Sequence, residues 1–120
     1  MGMTHVTVTV RNPANLRKAW DGLFLVDTGA FDSMAPAKHL RKIGLTPMGK
    51  RTYELADGTE LRMEIAVAQL EFMGDLVGST IIFGPDDAEP LLGVTALESV
   101  GIEVDPQSQR LKRLPAVRLK

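Results

Sequence analysis

The residues best suited to chemistry are Asp27, Thr28 and Gly29, inside "GLFLVDTGAFDSMAP", residues 22–36. Four apolar residues, Leu23, Phe24, Leu25 and Val26, lead straight into a carboxylate, a hydroxyl and a glycine. Delivering a charge to the end of an apolar strand is costly unless something uses it. A carboxylate so placed is a candidate general acid or base. The water-activating chemistry that Asp-Thr-Gly suggests needs two such groups, and the chain has one such motif. "DGT" at residues 57–59 has the wrong order and sits in a hairpin turn. The plain alternative for Asp27 is a turn-capping aspartate whose carboxylate takes local N–H groups.

The elements that must position Asp27 are short. "THVTVTVR" alternates, with Val6, Val8 and Val10 on one face, and reads as a half-buried strand. "NPANLRKAWDG" reads as an exposed loop, and "LFLV" as the strand ending at Asp27. "SMAPAKHLRKIG" reads as a short helix capped by Asp32 or Ser33, with Pro36 early and Gly44 at its end. Asp57-Gly58 between alternating segments signals a two-residue hairpin turn. After Leu61, Met63, Ile65 and Val67 the alternation slips towards Leu70 and Phe72, which suggests a bulge or bend. "LVGSTIIF" is a further strand and "GPDDAEP" an acidic loop. "LLGVTALESVG" gives a strand end, a glycine and a short helix. "IEVD", the turn "PQSQ" and "RLKRL" close with a hairpin. Many short strands and one or two brief helices make a mainly β chain, a closed or partly closed barrel. "LFLVDTGA…HLRKIGL" and "PLLGVTALESVGI" echo one another, which would pack two glycine turns together.

Composition bounds the rest. At 120 residues, 44% hydrophobic, the chain is a single globular domain spanning 1–120. A formal net charge of -1 argues against a protein built around nucleic acid. Without cysteine there are no disulfides or zinc-thiolate sites, and His5 and His39 show no metal-ligand spacing. No metal or cofactor is expected. Neither a signal peptide nor a membrane span is visible, so a cytoplasmic protein without membrane contact is the expectation. Residues 84–105 carry six acids and no Lys or Arg, whereas the tail at 110–120 carries five bases and no acid. A basic tail can track phosphates, but no aromatics interleave it, so no nucleic-acid partner is expected.

"FLVDTGA", the "ADG" hairpin and "PLLGVTALESVGIEVD" together resemble the retroviral-type (retropepsin-like) aspartic proteases, including their bacterial single-domain relatives. The matching elements come in the family's order across roughly residues 5–114. The resemblance implies a small acid-protease barrel with one lobe per chain. Two chains would form a homodimer that joins two Asp27 carboxylates on a two-fold axis. It implies an aspartic endopeptidase acting on a peptide or protein substrate. Asp27, Thr28 and Gly29 would be catalytic, with the Thr28 hydroxyl bonding across the dimer. Ala30, Phe31 and Asp32 would line the substrate site, and Tyr53, Leu55, Ala56, Asp57 and Gly58 would form a flap over it. The sequence departs from the family where an acid follows Asp-Thr-Gly-Ala and an arginine follows the later glycine. Here Phe31 and Val94 stand at those positions. A non-catalytic dimeric peptide-binding module on the same fold is the second reading.

Overall fold

The computed structural model describes residues 4–105 and 107–119. The strands are β1 (His5–Asn12), β2 (Asn15–Val26), β3 (Ser33–Pro36), β4 (Gly49–Glu54), β5 (Glu60–Phe72), β6 (Asp75–Gly84), β7 (Leu91–Leu92), β8 (Ile102–Val104) and β9 (Leu111–Arg113). Two helices of six residues, α1 (Ala37–Lys42) and α2 (Val94–Ser99), interrupt them. Seven strands form one sheet in the order β1-β2-β7-β3-β6-β5-β4, and a further β1–β5 pairing joins its first strand to its sixth. Six strands therefore make a ring, and β4 hangs outside it on β5. The small β8–β9 ribbon stands apart. The architecture is mainly β with two short helices.

The core fills the ring. Val8 and Val10 of β1, Phe24 of β2, Leu70 of β5, Ile81 of β6 and Leu92 of β7 are fully buried, joined by Leu40 of α1 and Ala96 and Leu97 of α2. Alternation in β1 thus reads correctly as one inward valine face.

Four local expectations are corrected. The supposed loop "NPANLRKAWDG" is the turn and first half of β2, paired with β1 from Arg11↔Ala19 to His5↔Leu25. Asn12 Oδ1 takes the Ala14 N–H at 2.9 Å and turns the chain at once. The residues of β2 nearest this turn are exposed, so they lack the apolar signature that marks a strand. Ser33 to Pro36 is strand rather than helix: β3 runs parallel to β6, and α1 begins only at Ala37. Neither Asp32 nor Ser33 caps that helix. Ser33 is fully buried and its hydroxyl accepts the Gly93 N–H at 2.9 Å. Gly44 does end the helical turn, at φ +85°.

The third correction is the slip in β5, which involves no bulge. Pairing with β6 runs unbroken from Ile65↔Ile82 to Phe72↔Asp75. One strand serves two surfaces: Ala66, Ala68, Leu70 and Phe72 face the core, whereas Leu61 and Met63 face a cavity nearer β4. Two alanines on the core face hide its period from the sequence. The fourth is the β4–β5 turn, which has five residues, Leu55 to Thr59, closed by Leu55 N–H to Thr59 O at 2.7 Å. Gly58 takes φ +88°, as the turn requires.

The final hairpin forms as read, with Ile102↔Arg113 and Val104↔Leu111 paired, though Pro106 of its turn lies outside the described residues. The basic tail meets the β5–β6 turn: Arg113 pairs with Asp75 at 2.8 Å and also bonds the Met73 carbonyl. It also meets the acidic 84–105 segment within the hairpin itself: Glu103 pairs with Lys112, and the Asp105 N–H bonds the Arg110 carbonyl at 2.8 Å.

Candidate functional site

Asp27 stands one residue beyond a strand end that is held from both sides. Leu25 and Val26 pair in parallel with Leu91 and Leu92 of β7, and the Val26 N–H bonds the Thr4 carbonyl at 2.8 Å. The Asp27 N–H itself bonds the Leu92 carbonyl at 3.1 Å. The apolar run before it is only partly interior: Phe24 is buried, whereas Leu23 is 61% exposed. Asp27 is half-buried, so its charge keeps contact with solvent. Its Oδ1 accepts the Gly29 N–H at 2.9 Å and its carbonyl accepts the Ala30 N–H at 3.1 Å. This is a tight aspartate turn.

The second glycine turn packs against the first. Gly93 precedes α2, and a Cβ placed there would lie 2.5 Å from the backbone carbon of Asp32. The Val94 and Thr95 N–H groups bond the carbonyls of Ala30 and Phe31 at 2.9 and 3.1 Å. The echo between "LFLVDTGA" and "PLLGVTA" therefore has a physical counterpart: two strand ends lie parallel, and the loop leaving one is pinned by the helix leaving the other.

These turns floor a cavity of about 640 Å³. Asp27, Gly29, Ala30, Phe31 and Asp32 lie on its floor side, and Tyr53, Leu55 and Ala56 come from the β4–β5 hairpin. The structure thus brings eight of the eleven sequence-chosen residues to one cavity. Thr28 lies instead beside a smaller cavity of about 320 Å³, with Leu97, Glu98 and Leu114. Asp57 and Gly58 are exposed at the hairpin tip. The Thr59 N–H, bonded to the Asp57 carboxylate, holds that carboxyl below its ordinary value.

Met34, Ile82 and Leu91, with Leu61 and Met63, give the cavity an apolar wall that sequence reading did not assign to it. Arg51 was missed altogether. Asp32, 4% exposed, receives Arg51 Nη1 at 2.6 Å and the Tyr53 hydroxyl at 2.7 Å on one oxygen. Its other oxygen lies 3.4 Å from the Thr95 hydroxyl. The bond to Asp32, and then its charge, raise the Arg51 pKa. Burial, and then the bond to Asp32, raise that of Tyr53. Phe31 is 61% exposed, and Val94 sits beside the smaller cavity. The described residues hold no group of three or more His, Cys, Asp or Glu able to bind a metal, and no helix long and apolar enough to cross a membrane.

No protein-family model and no curated protein matches the chain. Among solved structures it is similar to the EIAV protease complexed with the inhibitor HBY-793. The match has a TM-score of 0.64 at 15% identity and covers 87% of this chain and 93% of that one. At that identity the likeness is one of fold, and this chain has the fold of a single retropepsin lobe.

Proposed function

We propose that the protein is a homodimeric aspartic endopeptidase, a single-domain relative of bacterial type working in the cytoplasm. The observation that carries this reading is the placement of Asp27. A carboxylate at a doubly braced strand end opens into an apolar-walled cavity under a hairpin, within a retropepsin fold. Of the two other carboxylates that line the cavity, Asp32 is occupied by Arg51 and Tyr53, and Glu54 belongs to the overlying hairpin at the end of β4. That leaves Asp27 to find its catalytic partner in a second copy, through an isologous contact.

Two carboxylates in contact cannot both ionise, so the pair shares one proton. The ionised member takes a proton from a water held between them, while the protonated member donates a hydrogen bond to the peptide carbonyl. The hydroxide adds to the carbonyl carbon and gives a tetrahedral gem-diol. Its collapse breaks the C–N bond as the amine leaves with a proton. The Gly29 N–H already fixes one Asp27 oxygen, so the carboxylate enters the reaction oriented. The apolar cavity wall suits an extended peptide with apolar side chains, and the β4–β5 hairpin would close over it as a flap.

Incubating the purified protein with a peptide library, with products read by mass spectrometry, tests the proposal. Cleavage should occur and should fall on the order of 10³-fold or more in Asp27→Asn, which keeps an oxygen for the Gly29 N–H. Undiminished cleavage by that variant would mean that the activity belongs elsewhere. The bond from Gly29 also suits a purely structural aspartate, and this favours one other reading: a dimeric module that holds peptides without cutting them. Binding of library peptides with no products would select it.

A further inference from the structure

The β4 strand is the outermost of the sheet and, among the described residues, its backbone pairs with β5 alone. A hairpin so attached would swing from its root unless something ties it down. Arg51 and Tyr53 are two residues apart on β4, so their side chains leave the same face. Both reach one oxygen of Asp32, at 2.6 and 2.7 Å. Among the described residues these are the only side-chain bonds from β4 to anything outside its own hairpin.

The receiving end is rigid. Asp32 is buried and closes the turn that begins at Asp27. The next residue, Ser33, opens β3 and is bonded to the Gly93 N–H. The preceding carbonyl, that of Phe31, is held by the Thr95 N–H at 3.1 Å. A buried carboxylate with two strong donors on one oxygen is well compensated and directional, and loss of both would leave a costly unpaired charge. The elevated pKa values of Arg51 and Tyr53 agree with donors held in their protonated forms.

We propose that Asp32, with Arg51 and Tyr53, is a latch that fixes the stem of the β4–β5 hairpin to the cavity floor. Asp32 is thereby a positioning residue rather than the substrate contact its sequence position suggested. Motion of the flap is confined to the tip from Leu55 to Thr59, while the stem from Gly49 to Tyr53 stays down. This inference rests on the protease reading for its effect on catalysis, but the latch itself does not depend on catalysis.

The experiment compares wild type with Arg51→Gln/Tyr53→Phe, both changes at side chains that reach in from the hairpin. The Thr95 hydroxyl still faces the other Asp32 oxygen, and the β1 and β6 amides read out any global loss of stability from the uncompensated charge. Amide hydrogen exchange is followed by NMR, and peptide hydrolysis in parallel. Exchange along β4 should quicken on the order of tenfold or more, while β1 and β6 amides keep their protection. KM should rise several-fold with a smaller change in kcat, because the flap must now be ordered by substrate. Arg51→Lys, which retains a charged donor, should recover most of both effects. Wild-type exchange rates along β4 in the double variant would overturn the latch, as would an unchanged KM in an enzyme that cleaves. If the wild type cleaves nothing, the protease reading fails, and the exchange rates alone decide the latch.

Discussion

At the scale of single residues, the site is fixed by small groups in crowded places. Asp27 is held by the Gly29 N–H, and the loop it opens is held by Gly93 through close backbone approach. The nearest neighbours of a Cβ at position 93 would be the Asp32 backbone carbon at 2.5 Å, the Asp32 oxygen at 2.7 Å and the Phe31 oxygen at 2.9 Å. Backbone atoms cannot rotate aside as a side-chain tip can. Gly93→Ala must therefore push α2 away from the Asp27 loop, and overpacking of this kind costs roughly 1–3 kcal/mol. The expected outcome is a lower urea midpoint with an unchanged slope, together with loss of peptide cleavage greater than the unfolded fraction explains. Gly78, which has nothing within 4 Å of a Cβ, is the control: its alanine variant should leave the Asp27 loop undisturbed. A Gly93→Ala protein as stable and active as wild type would show that the two turns are not tightly packed.

At the scale of elements, the hairpin over the cavity divides into a latched stem and an exposed tip, and the tip carries its own titratable tie. The Thr59 N–H bonded to Asp57 at 2.9 Å holds that carboxyl below its ordinary value of 3.8. An acid whose folded value is depressed stabilises its turn above the unfolded value and loses that contribution as pH falls through the folded one. Tip order should therefore be complete at neutral pH and fade below about 3.8. NMR shifts and exchange of the Gly58 and Thr59 amides across roughly pH 2 to 7 would record this. Asp57→Asn keeps the acceptor oxygen without the proton equilibrium and should show no such transition. That a hairpin stands here was legible in advance, because Asp57-Gly58 is a local pattern, though its turn has five residues and not two. The alternation of β1 was legible for the same local reason. The Asp27 strand and the Leu91-Leu92-Gly93 turn were legible too, as short apolar runs stopped by special residues. Other features lay beyond local pattern. The first half of β2 is exposed, so burial leaves no periodic mark on it. Asp32 reads locally as a helix cap, whereas its actual partners lie 19, 21 and 63 residues away. Only closure of the barrel brings them together.

At the scale of the whole molecule, the decisive fact is that one lobe offers one Asp27. Of the other carboxylates lining the cavity, Asp32 is engaged by Arg51, and Glu54 comes from the hairpin and not from the Asp27 loop. Under the proposed protease reading, activity is a property of two copies, and two signatures follow together. The first is concentration: the rate per chain should fall on dilution, in step with the dimer fraction measured by analytical ultracentrifugation. The second is pH. Two close carboxylates release their protons in two separated steps that belong to the pair and not to either residue. Only the singly protonated pair can both activate water and donate to the carbonyl. The cleavage rate should therefore be bell-shaped, falling in acid as both groups are protonated and falling at higher pH as both ionise. A statine-type inhibitor, whose hydroxyl takes the place of the attacking water, should bind most tightly within that same window and should favour the dimer. A structure of the complex should then show the two Asp27 residues flanking the inhibitor hydroxyl. A rate per chain independent of dilution, or a dimer whose Asp27 residues lie far apart, would remove the shared proton and the mechanism with it. A chelator-sensitive, statine-resistant activity would assign the cleavage to another protein and leave this chain as the peptide-binding module.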